Sequence, residues 1–174
     1  MGPEVDSDFK SLQLRPYQTS MTFANLKRTR QGVLHVTDDV ELFARAAIGP
    51  VQPPPTLIPA GAVDGYILAD ACRWFAFRVT AVDDDGQPAR IDAVVVDRGT
   101  QRDFFGFNRA KHAVLEAAIL ATRITRLPPA QIQADMDRLA VLVAKTAGPQ
   151  ERRAFGLLND YLRNNLRSTG QPGA

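Results

Sequence analysis

The spacing of apolar residues changes once along this chain, near Gly99, and that change limits what it can fold into. Before it the period is two. Residues 71–82 put Phe75, Phe77, Val79 and Ala81 on one face and Trp74, Arg78 and Thr80 on the other. Asp83-Asp84-Asp85-Gly86 reads as a hairpin turn, and residues 90–98 return through Ile91, Ala93 and Val95. After Gly99 the period is about 3.6, the signature of helices. Residues 108–123 are rich in alanine and apolar almost all round, which predicts a buried helix, at a subunit interface or within the chain. Residues 129–147 carry Ile132, Met136, Leu139 and Val143 on one stripe. Gly148-Pro149 separates them from a last helix with Phe155, Leu158 and Leu162 inward. Strands first and helices last describe an α+β fold rather than an alternating one.

The N-terminal segment is read in shorter pieces. Leu12 and Leu14 alternate with polar neighbours as in a half-buried strand, and Arg15-Pro16 ends it. Thr19-Ser20 offers a hydroxyl cap for a helix to about Thr29 with Phe23 and Leu26 inward, and Gly32 is expected to stop it. Residues 33–37 read as a strand. Asp38 or Asp39 caps a helix over residues 40–47. Residues 50–59 hold five of the 12 prolines and are expected to be an extended loop that wraps an edge or covers a site.

Composition excludes several functions. The 21 Lys and Arg against 19 Asp and Glu leave a net charge of +2, too little for a protein built to neutralise nucleic-acid phosphates. No apolar run approaches a membrane span and no secretory leader opens the sequence, so a cytoplasmic protein is expected. The single Cys72 has no partner for an internal disulfide and reads as a small buried hydrophobe. His35 and His112 form no metal motif, and GxSxG, GxGxxG and P-loop patterns are missing. Asp83–Asp85 lack the further ligands of a calcium loop and read as a solvated turn. If the chain is an enzyme, a bound cofactor must carry the reaction.

Two segments gather candidate binding residues. In LRPYQTSMT (14–22) a strand ends, Arg15 follows, and Thr19, Ser20 and Thr22 stand at a helix start. Free N–H groups and the helix dipole favour an anion there, so the segment reads as a phosphomonoester cradle. The plainer reading is a hydroxyl cap beside a surface arginine. The second segment is RDFFGFNRAKH (102–112), where Asn108 reads as a cap and Arg109, Lys111 and His112 follow. Cations in a first turn oppose the dipole and call for an anionic partner, unless they form a solvated face. The phenylalanines do not fall in the order of an RNA-binding strand.

The stretch LRPYQTSMTFANLKRTRQGVLHVTDDVELFARAAIG, with ACRWFAFRV and RDFFGFNRAKHAVLEAAILATR, resembles domain-of-unknown-function family 447 over most of the chain. Its members are similar to flavin-reductase-like, FMN-binding split barrels. The resemblance implies a six-stranded Greek-key split β-barrel, placed over residues 1–106 with helices packed on it over 107–167 as one structural unit; the tail over 168–174 is expected from its residues to fray. It implies a homodimer with FMN near the subunit interface. It places Arg15, Thr19, Ser20 and Thr22 at the FMN phosphate, Thr37 and Asp38 beside the ring, and Asn108 and Lys111 in reach of the flavin. Relatives have a further strand before a segment like Met1-Gly2-Pro3, so the barrel is expected either to start upstream or to be completed otherwise. The implied function is a flavin-dependent oxidoreductase working between NAD(P)H and a small acceptor. The alternative is a flavin or anionic-cofactor binding protein without turnover. No side chain stands out as a proton donor: His35, on the strand before the ring edge, is the nearest candidate, and a packed or surface histidine is the plainer reading.

Overall fold

A computed structural model describes residues 2–169. The strands are β1 (Glu4–Val5), β2 (Ser11–Leu14), β3 (Gln31–Val36), β4 (Leu57–Pro59), β5 (Tyr66–Leu68), β6 (Arg73–Asp83) and β7 (Arg90–Thr100). The helices are α1 (Met21–Thr29), α2 (Val40–Ile48), α3 (Arg109–Thr122), α4 (Pro129–Thr146) and α5 (Pro149–Thr169). The fold is α+β, with a five-stranded antiparallel sheet in the order β1-β2-β7-β6-β3 and a two-stranded sheet of β4 and β5.

The chain forms two compact units. The barrel unit is the chain up to Thr37 with Thr56–Phe104; the helical unit is Asp38–Pro55 with the chain from Phe105 onward. A cut at residue 106 therefore does not divide it, because α2 belongs with the C-terminal helices. The reason is its apolar stripe: Val40 and Ala44 are buried among Val114, Ala117, Ile132 and Leu158.

In the barrel unit, Leu12, Phe77, Val79, Ile91 and Ala93 form a core with Phe23 and Leu26 of α1. Ala60, Val63, Ile67 and Ala76 form a second cluster, with Val33 and Trp74 against it. Among the described residues seven strands lie in two sheets. β4 comes from the proline-rich segment, expected as loop, whose last residues pair as Leu57 with Leu68, Ile58 with Ile67 and Pro59 with Tyr66. Proline is admissible there because it ends a strand of an isolated pair. Gly32 does not stop α1. Arg30 caps it in the left-handed region (φ 56°), and Gly32 lies inside β3, opposite Phe77. A Cβ on Gly32 would sit 2.7 Å from Phe77 Cζ, so glycine is what lets the ring lie over the strand.

The helical unit has an alanine-rich core in which Ala44, Ala117, Ala118, Ala121 and Ala154 are buried, and small side chains let helix axes approach closely. α3 contacts α2, α4 and α5. Most of its apolar surface is thus absorbed within the helical unit, with Ile119 left exposed. The last helix runs through Ser168 to Thr169, where fraying was expected; residues 170–174 lie outside the described part. No described helix is long and apolar enough to cross a membrane.

Candidate functional site

The segment after β2 is built around Ser20. Its Oγ accepts from the Phe23 N–H (3.2 Å) and donates to the Tyr17 carbonyl (2.7 Å), so Ser20 caps α1 and closes the preceding turn. Thr19 and Thr22 are exposed, and the first turn of α1 holds no acidic residue. Arg15 is exposed beside this turn, donating to Gln13 Oε1 and pairing with Glu4 Oε1 at 2.9 Å. Gln18 fixes the segment from below, with its Nε2 donating to the carbonyls of Asp84 (2.6 Å) and Gly86 (2.9 Å); Lys27 pairs with the Asp84 carboxylate. The aspartate turn is therefore docked on the α1 region rather than merely solvated, a role its composition does not announce.

Thr37 ends the barrel unit's first stretch, and Asp38 opens the helical unit. Asp38 is buried, and its Oδ2 accepts the Phe105 N–H at 2.8 Å. Asp39 caps α2 through Glu41 and Leu42. Asn108 caps α3, accepting from Ala110 and Lys111. The Lys111 ammonium donates to the Asp38 carbonyl (2.8 Å) and Gln150 Oε1 (3.2 Å) and pairs with Glu151 Oε1 (3.1 Å), Glu151 being buried and Lys111 partly buried. An ammonium has three protons and all three are used. The anion that a cation in a first turn requires is thus Glu151 of α5. Burial works against the Glu151 carboxylate, but the Lys111 hydrogen bond and backbone N–H groups outweigh it and hold the group below its usual range. Glu151 also accepts from Gly148 N–H, three residues back, the spacing of a capping box; that Gly-Pro-x-Glu spacing is the signal by which the sequence could have revealed it.

His35 is half-buried on β3, and its Nε2 accepts the Leu68 N–H at 3.0 Å, joining β3 to β5. Nε2 therefore carries no proton, and in the neutral ring the proton sits on Nδ1. Cys72 is wholly buried. Among the described residues no three His, Cys, Asp or Glu side chains converge as metal ligands.

A feature that the sequence does not announce lies on β6 and β7. A cavity of about 430 Å³ is lined by Phe9, Arg73, Phe75, Arg98, Gly99 and Thr100. Phe9 stacks on Phe75 with ring centroids 4.7 Å apart.

An antiparallel split barrel is the class of fold seen in flavin reductases, and in this chain helices follow it. An FMN-bound protein from Methanosarcina mazei, MM1853, shares it with TM-score 0.77 and 21% identity over 91% of this chain and 84% of that one. The flavin reductase HpaC, solved with NADP+, matches at TM-score 0.51 and 20% identity over 62% of this chain and 69% of its own. The protein of unknown function DUF447 N-terminal domain matches residues 1–102, and the DUF447 C-terminal part matches residues 108–160. The chain belongs to the DUF447 family. No curated protein matches the sequence.

Proposed function

We propose that this chain binds FMN and serves as a flavin-dependent oxidoreductase, passing hydride or electrons between a nicotinamide nucleotide and a small acceptor. The observation that carries the reading is its family membership together with the fold it shares with the FMN-bound M. mazei protein. The nicotinamide part is supported only by the flavin reductase solved with NADP+.

The donor set at the start of α1 fits a phosphomonoester. Arg15 brings a charge that does not titrate, Thr19 and Thr22 present exposed hydroxyls, and the helix dipole points the right way. The Arg15–Glu4 pair is exposed on both sides, so exchanging Glu4 for a phosphate costs little. Ser20 shapes the cradle as its cap. Thr37 and Asp38 border the ring in this reading, and Lys111 and Phe105 hold Asp38 in place as positioning residues. When bound, FMN supplies the hydride-accepting centre, while the protein orients it and excludes water. A homodimer belongs to the same reading, supported by the exposed Met21, Val94 and Val96. A monomer mass in sedimentation at micromolar concentration would remove it.

The test compares two ligands. Arg15→Ala should weaken FMN binding about tenfold or more, since a charge-assisted contact contributes about 1.5–3 kcal/mol. Riboflavin, which lacks the phosphate, should bind wild type weakly and ignore the substitution. Unchanged FMN affinity in the variant would reduce the segment to a helix cap. Anaerobic bleaching of the bound flavin by NADH tests turnover, and a flavin that stays oxidised would leave a binding protein.

A further inference from the structure

The cavity on β6 and β7 has no part in the function proposed above, and its make-up follows from register. Directly opposed residues of an antiparallel pair share a face. Arg73 lies opposite Thr100 and Phe75 opposite Arg98, so these four side chains stand together. A bulge brings this about. Ala76 pairs with Asp97 but Phe77 pairs with Val95, which leaves Val96 as the extra residue. Ile91, Ala93 and Val95 hold the core face by alternation, and an unbroken strand would continue with Asp97 and Gly99. The extra residue turns Asp97 away and brings Arg98 and Thr100 over to Phe75.

α1 covers the far end of this face through Phe23 and Leu26, but over Phe75 the covering residue is Phe9. Phe9 sits in the left-handed region (φ 53°), a conformation unfavourable for a bulky side chain. Its ring stack on Phe75 offsets that cost, and Arg98 Nη1 donates to the neighbouring Asp8 carbonyl at 2.9 Å. Neither Arg73 nor Arg98 forms an ion pair among the described residues. Two guanidinium groups on neighbouring strands of one face repel. An oxyanion between them would replace that repulsion with charge-assisted hydrogen bonds. Small-molecule sites of about 300–1,000 Å³ combine an apolar wall with a few such polar groups, and the cavity has both.

We infer that this cavity binds a second small molecule, distinct from the flavin: an oxyanion carried on a planar ring, with the anionic group on Arg73 and Arg98 and the ring against Phe9 and Phe75. Carboxylates and phosphates share this chemistry, so the probes are benzoate, phenyl phosphate and inorganic phosphate. Trp74, the only tryptophan, lies opposite Gly99 on the reverse face, where a Cβ on Gly99 would be 2.6 Å from its Nε1. Its fluorescence therefore reports on the cavity wall, and calorimetry on the full chain, with and without FMN, gives the affinity.

At least one ring probe should bind saturably, and inorganic phosphate about tenfold or more weakly. The better ring probe identifies the anion as carboxylate or phosphate. Arg98→Gln and Arg73→Gln should each weaken the ring probe about tenfold or more, the loss expected for one charge-assisted contact, while Arg15→Ala leaves it unchanged. The Arg73 side chain makes no hydrogen bond among the described residues, so its variant keeps the test valid if loss of the Arg98–Asp8 contact disturbs the fold. Absence of saturable binding by both ring probes overturns the inference, as does binding indifferent to both arginines. Competition by FMN for the same cavity overturns it too, by making this the flavin's own site. FMN binding through Arg15 is read separately, so either proposal can fail alone.

Discussion

Lys111 in the helical unit and Arg98 in the barrel unit are cations carried on regular secondary structure, and they end in opposite circumstances. Lys111 is partly buried, with its partners inside its own unit and the buried Glu151 as counter-ion. Arg98 is exposed beside an aromatic cavity, shares it with Arg73, and gives one bond to a backbone carbonyl. Ion pairs occur in both units, with Arg45 and Arg153 on Glu41 in the helical unit and Arg15–Glu4 and Lys27–Asp84 in the barrel unit, so the contrast belongs to these two cations and their surroundings. A cation matched inside its own unit holds shape. A cation with no counter-ion beside an apolar wall suits a ligand, and that is the ground on which the cavity was proposed as a binding site.

The largest effect that tests this contrast is on stability. Removing one partner of a buried ion pair costs about 3–5 kcal/mol, because the other charge stays buried. Lys111→Met should lose that much in urea or thermal unfolding, and Lys111→Met with Glu151→Leu should recover part of it. Arg98→Gln should stay within about 0.5 kcal/mol of wild type, as exposed substitutions do. Equal losses at the two positions would end the distinction drawn between them.

A smaller loss is expected where a glycine admits an aromatic ring. Gly32→Ala places a Cβ 2.7 Å from Phe77 Cζ and 3.4 Å from Leu26 Cδ2, inside the barrel core. Overpacking of this kind costs about 1–3 kcal/mol. Gly61→Ala meets nothing within 4 Å and is the control, expected within about 0.5 kcal/mol of wild type. A variant at Gly32 as stable as the control would mean that the ring shifts freely and the barrel core is looser than the packing implies.

Much of this architecture can be read from spacing, because caps and periodicity are local. Ser20, Asp39 and Asn108 cap the helices they precede, and the stripe of Ile132, Met136 and Val143 is buried as its spacing requires. What could not be read depends on pairing across the chain. The bulge at Val96 looks in sequence like the end of alternation, and only the partner strand shows that it turns Arg98 toward Phe75. Phe9 precedes Phe75 by dozens of residues, and nothing near it signals a stack. Lys111 was legible as a cation in need of an anion, but not as one already matched by Glu151, which stands on another helix. β4 was hidden by its prolines, since extended backbone in a loop and in a short edge strand look alike until a partner strand pairs with one of them.

The smallest expected effect concerns the join between the two sheets of the barrel unit, and it depends on pH. His35 Nε2 accepts the Leu68 N–H, and burial holds the ring's pKa below the ordinary 6.5. In the unfolded chain the imidazole protonates near its ordinary value; in the folded chain it resists until lower pH. The unfolded state therefore binds more protons as pH falls, so stability is full above about 6.5 and declines toward the folded pKa. Glu41 and Glu151 do not confuse this window. Glu41 is held below its ordinary 4.5, first by the Arg45 hydrogen bond, and Glu151 is held low despite its burial, so both lose their contribution at more acid pH. The effect should not exceed about one hydrogen bond, roughly 0.5–1.5 kcal/mol. Urea midpoints should fall between pH 7 and pH 5.5 in the wild type. In His35→Gln, whose amide oxygen can accept the same N–H without titrating, the fall should be much reduced. Equal pH dependence in both proteins would show that His35 contributes packing alone, and that the join between β3 and β5 is not sensitive to its protonation.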